Sequence, residues 1–325
     1  MPAPNDLPTL ADIVAARERI LGRVHRTPLA TATSIGVMAS PPVILYLKEE
    51  QRQKTGSFKA RGALNRLANF TEAERARGLV TVSAGNHAAA VSWAAAAEGL
   101  AATVVMRKAA APNKVEATRA YGATVDLFGE NNVEAFDHVY ELERERGLTF
   151  VPPFDDPYII AGTGTVGLEV IDDLSAPDVV IVPVGGGGLI SGVAPAIKER
   201  SPSTRVIGVE PESAQAMTEA LRKGEPVSIT EMNTIADGLA APFAGKLNLL
   251  AVQRYVDGIV LVSDDEIRHA MRVLLERAKI MTEPAGAAAV AALLAGRVGQ
   301  REGDRVVAVV SGANIDVPRL LSLLG

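Results

Sequence analysis

Apolar and polar positions along this chain follow two periods, and the period changes several times. Ile13, Ala16, Ile20 and Val24 fall on one helical face. Their spacing predicts a helix over 9–23, with Thr9 and Asp12 as an acidic capping box. His25-Arg26-Thr27-Pro28-Leu29 breaks it. After a Pro-Pro break, 43–47 reads as a short apolar strand, and the polar, Gly-ended stretch 48–56 reads as a loop. Phe58, Ala63, Leu64 and Leu67 then recur at helical spacing, with Gly56 and Ser57 as turn and cap. Thr71-Glu72-Ala73-Glu74 is a second capping box.

From there the pattern alternates. Strands are predicted at 79–82, 102–106, 123–128 and 149–151, with helices at 86–98, 111–121 and 133–146 between them. Pro152-Pro153-Phe154-Asp155-Asp156-Pro157 is a rigid break. Beyond it come a helix at 158–173, a β-branched strand at 178–184, a helix to 200, a strand at 204–210, a helix end at 217–224 and a strand at 259–262. Ser263-Asp264-Asp265-Glu266 caps another helix, 284–295 is helical, and 305–310 is the last buried strand. Strand and helix in turn, with short connections, imply an α/β fold with parallel pairing and right-handed crossovers. The domain division read from the breaks is 1–77 with 153–325 as a large domain and 78–152 as a small one.

Composition narrows the class. The 325 residues suit two domains or one large unit, and 48% hydrophobic content with only 4% aromatics implies a core of Ala, Val, Leu and Ile. A net charge of -5 and no long basic run argue against a nucleic-acid partner. No cysteine is present, which removes disulfides and thiolate chemistry and is compatible with the cytoplasm. The N-terminus shows no signal-peptide pattern, and no apolar run is long enough to span a membrane.

Four stretches carry chemistry. Lys59 stands at a helix start, where a positive dipole end favours the neutral amine. A neutral lysine can condense with a carbonyl cofactor such as pyridoxal phosphate, although a lone lysine is also simply a solvated one. Gly185, Gly186, Gly187 and Gly188, followed by Leu189, lie between a strand and a helix, where backbone N–H groups can converge on one anion; the bland alternative is a flexible loop. No lysine follows them, so a phosphate monoester fits better than a nucleotide loop. Ser83, Ala84, Gly85, Asn86 and His87 run from a strand end into a helix, where α/β sheets bind ligands. Ser83, Asn86 and free N–H groups there can hold a carboxylate or a phenolic oxygen, while His87 also reads as a helix-start histidine. Ser311-Gly312-Ala313-Asn314 ends the last strand. A competing G-x-G-x-x-G at Gly162, Gly164 and Gly167 lacks the strand a dinucleotide site needs and reads as close helix packing. Four scattered histidines make a His-rich metal site unexpected, so no metal is assigned.

In order and spacing, Gly56-Ser57-Phe58-Lys59-Ala60-Arg61-Gly62-Ala63 and the other three stretches resemble the serine/threonine dehydratase and serine racemase family, the fold-type II pyridoxal phosphate enzymes, over nearly the whole chain. That resemblance implies two open, twisted, mostly parallel sheets flanked by helices, as in the tryptophan synthase beta-like fold. It implies pyridoxal 5'-phosphate on Lys59, with Phe58, Asn86, the glycines 185–188, Leu189, Glu283 and Ser311 around the cofactor. The loop 83–87 would take the substrate carboxylate, and Lys59 and Ser83 would be the catalytic pair. Asn86 would lie against the cofactor's ring oxygen, and Ser311 would hydrogen-bond the pyridine nitrogen. A hydroxyl partner leaves the ring a weaker electron sink, which suits β-elimination.

Details favour the dehydratase branch. Ala60-Arg61-Gly62-Ala63 replaces the Asp-Arg of cysteine synthases, and Asp237-Gly238 and Glu283-Pro284-Ala285-Gly286 also look like that branch. Serine racemase-like members bind a cation through an acidic residue matched here by Glu210 and another six residues on, where this chain has Ala216, with Glu212 nearby. Those members also carry a serine directly before Gly-Asn-His to serve the second face of the substrate, and this chain has Ala84. The chain ends soon after Ser311, so no regulatory domain is expected. The resulting expectation is a cytoplasmic threonine/serine ammonia-lyase acting on a small amino acid, as a homo-oligomer, dimer or tetramer. Serine racemase and 3-hydroxyaspartate dehydratase are the near alternatives, and a nicotinamide-dependent oxidoreductase or a non-catalytic amino-acid binder the distant ones.

Overall fold

The structure, a computed structural model, describes residues 6–325; the signal-peptide reading falls partly on residues 1–5, outside the described residues. Ten strands are found among the described residues: β1 (Leu29–Thr31), β2 (Ile44–Lys48), β3 (Leu79–Val82), β4 (Ala102–Met106), β5 (Thr124–Leu127), β6 (Thr149–Phe150), β7 (Val179–Pro183), β8 (Arg205–Pro211), β9 (Gly258–Val262) and β10 (Arg305–Val309). They form a six-stranded sheet in the order β1-β2-β10-β7-β8-β9 and a four-stranded sheet in the order β5-β4-β3-β6. Only β1 pairs antiparallel, with β2. Every other ladder is parallel, as the alternation of strand and helix demands.

The large sheet is buried on both faces, which is why β7 reads as an unbroken apolar run: all five of its residues are buried. The small sheet shares its core. Val104 and Val91 pack in one cluster with Ile20, Leu64, Leu67 and Ile159, which come from the flanking segments of the chain. The helix Lys59–Ala68 thus packs into the core of the small sheet.

The capping boxes are formed. Thr9 caps the helix Leu10–Ile20 with Asp12, Thr71 caps Glu72–Arg77 with Glu74, and Ser263 caps Asp264–Val273 with Glu266. Ser57, expected as a cap, is not one. The helix Lys59–Ala68 has no side-chain cap, Phe58 stands at its N-cap position, and Ser57 is extended and bridged to Gly312. The Phe58 N–H instead donates to the Ser311 carbonyl at 3.1 Å. The helix start is therefore tied to the end of β10.

The stretch 48–56 is not a solvated loop. It holds two short 3₁₀ turns, and Lys48, Glu50 and Gln53 are buried. Arg61 explains this: its guanidinium meets Glu50 at 2.7 and 2.8 Å and Glu169 at 2.7 and 2.9 Å, and Lys48 meets Glu169 at 2.6 Å. Two cations and two anions neutralise one another out of water. The helix Pro157–Asp173 brings Glu169 there, and its glycines serve packing. A Cβ on Gly162 would lie 2.7 Å from the Arg61 carbonyl oxygen, one on Gly164 2.9 Å from Ile13, and one on Gly167 2.7 Å from the Val193 carbonyl oxygen. The G-x-G-x-x-G match is close helix packing in mid-helix.

Candidate active site

Parallel strands deliver their carboxyl ends to one side of a sheet, and three such ends converge here. β3 of the small sheet runs into Ser83, while β7 and β10, neighbours in the large sheet, run into Gly185 and Ser311. These segments line one cavity of about 710 Å³ together with Phe58, Lys59, Leu189 and Glu283.

Lys59 is the first residue of its helix. Its Nζ donates to the Pro153 carbonyl at 2.6 Å and sits 5.3 Å from the centre of the Phe58 ring. Burial brings its pKa down from 10.5 to about 8. The neutral amine is favoured as expected, with desolvation as a cause beside its place at the helix start.

The glycines 185–188 turn their bare Cα atoms onto neighbouring side chains. A Cβ on Gly186 would lie 2.5 Å from the Phe154 ring, one on Gly188 2.8 Å from Phe154, and one on Gly187 2.6 Å from Met217 and 2.7 Å from Asn248. Gly187 also has φ +99°, which a side chain rarely adopts. The loop can wrap an anion only because no residue has a side chain there. Leu189 ends it, buried at the N-cap position of the helix Ile190–Lys198.

In the loop 83–87, the Ser83 hydroxyl accepts the Gly85 N–H at 3.1 Å, which removes one of the donors a carboxylate would use. Ala84 packs partly against the core of the small sheet. Asn86 opens the helix Asn86–Glu98 and donates to Glu283 at 2.6 Å. Burial pushes the Glu283 carboxyl up to about 7 against the pull of that hydrogen bond. His87 is buried, and its Nε2 lies 3.3 Å from the Val151 carbonyl. A carbonyl only accepts, so Nε2 carries the proton. Desolvation and then the charge of Lys59 push the ring's pKa down to about 3, so it is neutral. Ser311 is buried, with a long 3.3 Å contact from its hydroxyl to the Ala285 carbonyl.

Glu210 does other work. Its two oxygens accept the Met217 and Thr218 N–H groups at 2.8 and 2.9 Å and the Thr218 hydroxyl at 2.6 Å, at the start of the helix Ala216–Lys223. Burial raises its pKa to about 7. Among the described residues no group of three metal-ligating side chains occurs.

Pro153, Phe154 and Asp237 are among the lining residues that had no site role in the sequence reading. Pro153 supplies a backbone carbonyl, which no side-chain pattern reveals. Phe154 backs the glycines, and its only signal was its place in the rigid break. Asp237, paired with Lys114 at 3.2 Å across the cavity mouth, stood in a stretch that resembled the dehydratase branch.

The residues fit a phosphorylated carbonyl cofactor. A side-chain-free cradle precedes a helix N-terminus, a desolvated amine shares its cavity, and a hydroxyl ends the neighbouring strand. The comparisons agree. The pattern of the family described as "Pyridoxal-phosphate dependent enzyme" matches residues 20–312. The chain is 44% identical to the L-threonine dehydratase catabolic TdcB of Escherichia coli K12, over 98% of this chain and 97% of that one. It is 45% identical to the L-threonine ammonia-lyase of Thermotoga maritima, over 95% of this chain and 76% of that one. The structure of maize serine racemase superposes with a TM-score of 0.92 at 36% identity, covering 97% of this chain and 96% of that one. The nicotinamide alternative is overturned, since its glycines lie inside a packed helix and the match is to another cofactor class. A chain matched from residue 20 to 312, with lysine, cradle and hydroxyl in one cavity, belongs to the pyridoxal-phosphate-dependent enzyme family.

Proposed function

We propose that this enzyme is a threonine/serine ammonia-lyase, eliminating water from a β-hydroxy amino acid to give a 2-keto acid and ammonia. The observation that carries this is the meeting of the Lys59 amine, the glycine cradle and the Ser311 hydroxyl in one cavity, with no proton-carrying side chain at Ala84. Likeness to relatives named for threonine dehydration supports the substrate.

When bound, pyridoxal phosphate withdraws electrons from the Cα of an amino acid joined to it. The chain's own residues do the rest. The cradle 185–188 and the helix start behind it hold the phosphate. The free N–H groups of the loop 83–87 hold the substrate carboxylate and so set the angle of the Cα–H bond. Lys59, neutral above about pH 8, takes the Cα proton as general base. The β-hydroxyl gains a proton, in net the one taken from Cα, and departs as water; the unsaturated amine left behind adds water to release ammonia. Ser311 would meet the ring nitrogen with a hydroxyl that does not force it to stay protonated. A panel of L-threonine, L-serine and 3-hydroxyaspartate, assayed for keto acid, tests the reading; no keto acid from any of them rejects it.

The two sheets support reading 78–152 as a small domain beside a large one built from 1–77 and 153–325. No helix among the described residues is long and apolar enough to cross a membrane. A chain without cysteine suits the cytoplasm, and a homo-oligomer, dimer or tetramer, belongs to the same reading.

A further inference from the structure

Asn314 closes the Ser311-Gly312-Ala313-Asn314 stretch, and the reaction above gives it no part. Its Nδ2 makes two hydrogen bonds, to the Thr55 carbonyl at 2.7 Å and to Asn86 Oδ1 at 2.7 Å. A backbone carbonyl only accepts, so it decides which end of the Asn314 amide faces it. Both hydrogens of Nδ2 are then spent, and Asn86 must meet Asn314 with its oxygen. The Asn86 nitrogen is thereby turned the other way, where one of its hydrogens goes to Glu283 at 2.6 Å. The second is left for the cavity that Asn86 lines.

The backbone is shaped around this chain of contacts. Thr55 has φ +59° and Gly56 φ +74°, a turn that presents the Thr55 carbonyl to Asn314. A Cβ on Gly56 would lie 2.4 Å from Asn314 Oδ1, and one on Gly312 2.3 Å from Glu283 Oε1 and 3.3 Å from Asn86 Nδ2. Both glycines leave room for the polar groups.

We infer that Asn314 is a positioning residue: it transmits the fixed polarity of the Thr55 carbonyl to the Asn86 amide, so that an N–H and not a C=O is offered to the cofactor's ring oxygen. This rests on the reading that Asn86 faces that oxygen. An inverted amide would set oxygen against oxygen.

The test uses the holoenzyme and three variants, Asn314→Asp, Asn314→Ala and Asn86→Ala. Two readouts are taken: the cofactor dissociation constant by absorbance titration, and the balance between the near-ultraviolet and visible bands of bound cofactor at fixed pH. Asn314→Asp keeps the shape but offers only acceptors. It should weaken cofactor binding about tenfold and move the band balance in the same direction as Asn86→Ala, with Asn314→Ala about threefold weaker than wild type. Wild-type affinity and bands in Asn314→Asp overturn the inference. Weaker binding with an unmoved band balance also overturns it, since the loop and not the amide would then be affected. If Asn86→Ala matches wild type in both readouts, the placement of Asn86 fails and the inference with it. If Asn86→Ala departs from wild type while both Asn314 variants do not, the inference alone fails.

Discussion

The Lys59 amine is held at 2.6 Å by the carbonyl oxygen of Pro153, in the segment that returns the chain from the small sheet to the large one. One wall of the cavity thus sets the resting place of the group that must both bond the cofactor and move a proton. Borohydride reduction of the holoenzyme should fix the cofactor on the peptide containing Lys59, and Lys59→Ala should abolish the visible band and the activity while the protein remains folded. Label on Lys48 or Lys54 would overturn the assignment. Lys48 is a poor candidate, since its amine is buried against Glu169 and the Thr27 carbonyl.

Burial sets a pH dependence for the same amine. Desolvation disfavours the charged form, so the pKa falls to about 8 and the reactive neutral fraction grows as pH rises through that value. In cofactor-free protein, the rate of cofactor capture should climb about tenfold per pH unit below the pKa and flatten above it. An ordinary lysine would still be climbing at ~pH 10. Stopped-flow absorbance from neutral to alkaline pH separates the two curves.

Arg61 stands two residues after Lys59, between Glu50 and Glu169. Replacing it by Met leaves two buried carboxylates with only Lys48 to balance them. Breaking a buried pair by removing one partner costs about 3–5 kcal/mol. Urea denaturation of Arg61→Met should show a loss of that size, and a change within about 0.5 kcal/mol would mean that the cluster has relaxed into water.

That cluster also marks the limit of what local pattern reveals. The helix Asn86–Glu98 and the strands β3 and β4 have the expected bounds, because their periodicity and flanking glycines are local signals. The polar stretch 48–56 carries the same signals as a surface loop. It is buried only because Glu169, 108 residues beyond Arg61, completes the ion pairs. The helix Lys246–Tyr255 went unread for a similar reason. Its first N–H groups are capped by the Asp155 carboxylate, 91 and 92 residues earlier, so the sequence before it shows no cap. In the site, the sequence singles out Lys59, the glycines and Ser311, and the fold brings them to one cavity. The Pro153 carbonyl and the amide relay through Asn314 depend on backbone atoms brought together by the fold.

Ser311 is buried, and among the described residues its hydroxyl makes only the long contact with the Ala285 carbonyl, so it is available to a ring nitrogen. Ser311→Ala should retain the visible band and lower kcat/KM for L-threonine. An unpaired buried acceptor costs about 1–3 kcal/mol, roughly 5- to 150-fold in rate. Unchanged kinetics and cofactor affinity would remove Ser311 from the site.

Ala84 decides between elimination and racemisation. Inverting Cα requires a proton carrier on each face of the planar carbanion, and Lys59 serves only the face it occupies. The methyl group of Ala84 cannot carry a proton, and it packs partly into the core of the small sheet. Ser83 precedes it at the strand end, where neighbouring side chains alternate direction, and its oxygen is held by the Gly85 N–H. His87 is neutral and directs its Nε2 to the Val151 carbonyl. A positioned acid/base group is worth about 10²- to 10⁴-fold in rate, so D-serine should form from L-serine at least ~100-fold more slowly than pyruvate. Both products can be assayed in one incubation. D-serine appearing at a rate comparable to pyruvate would sink the argument and would mean that another group fills the second face. By the same logic Ala84→Ser should raise D-serine formation from near zero while the lyase activity persists, because Lys59, the glycine cradle and Ser311 are untouched by the change.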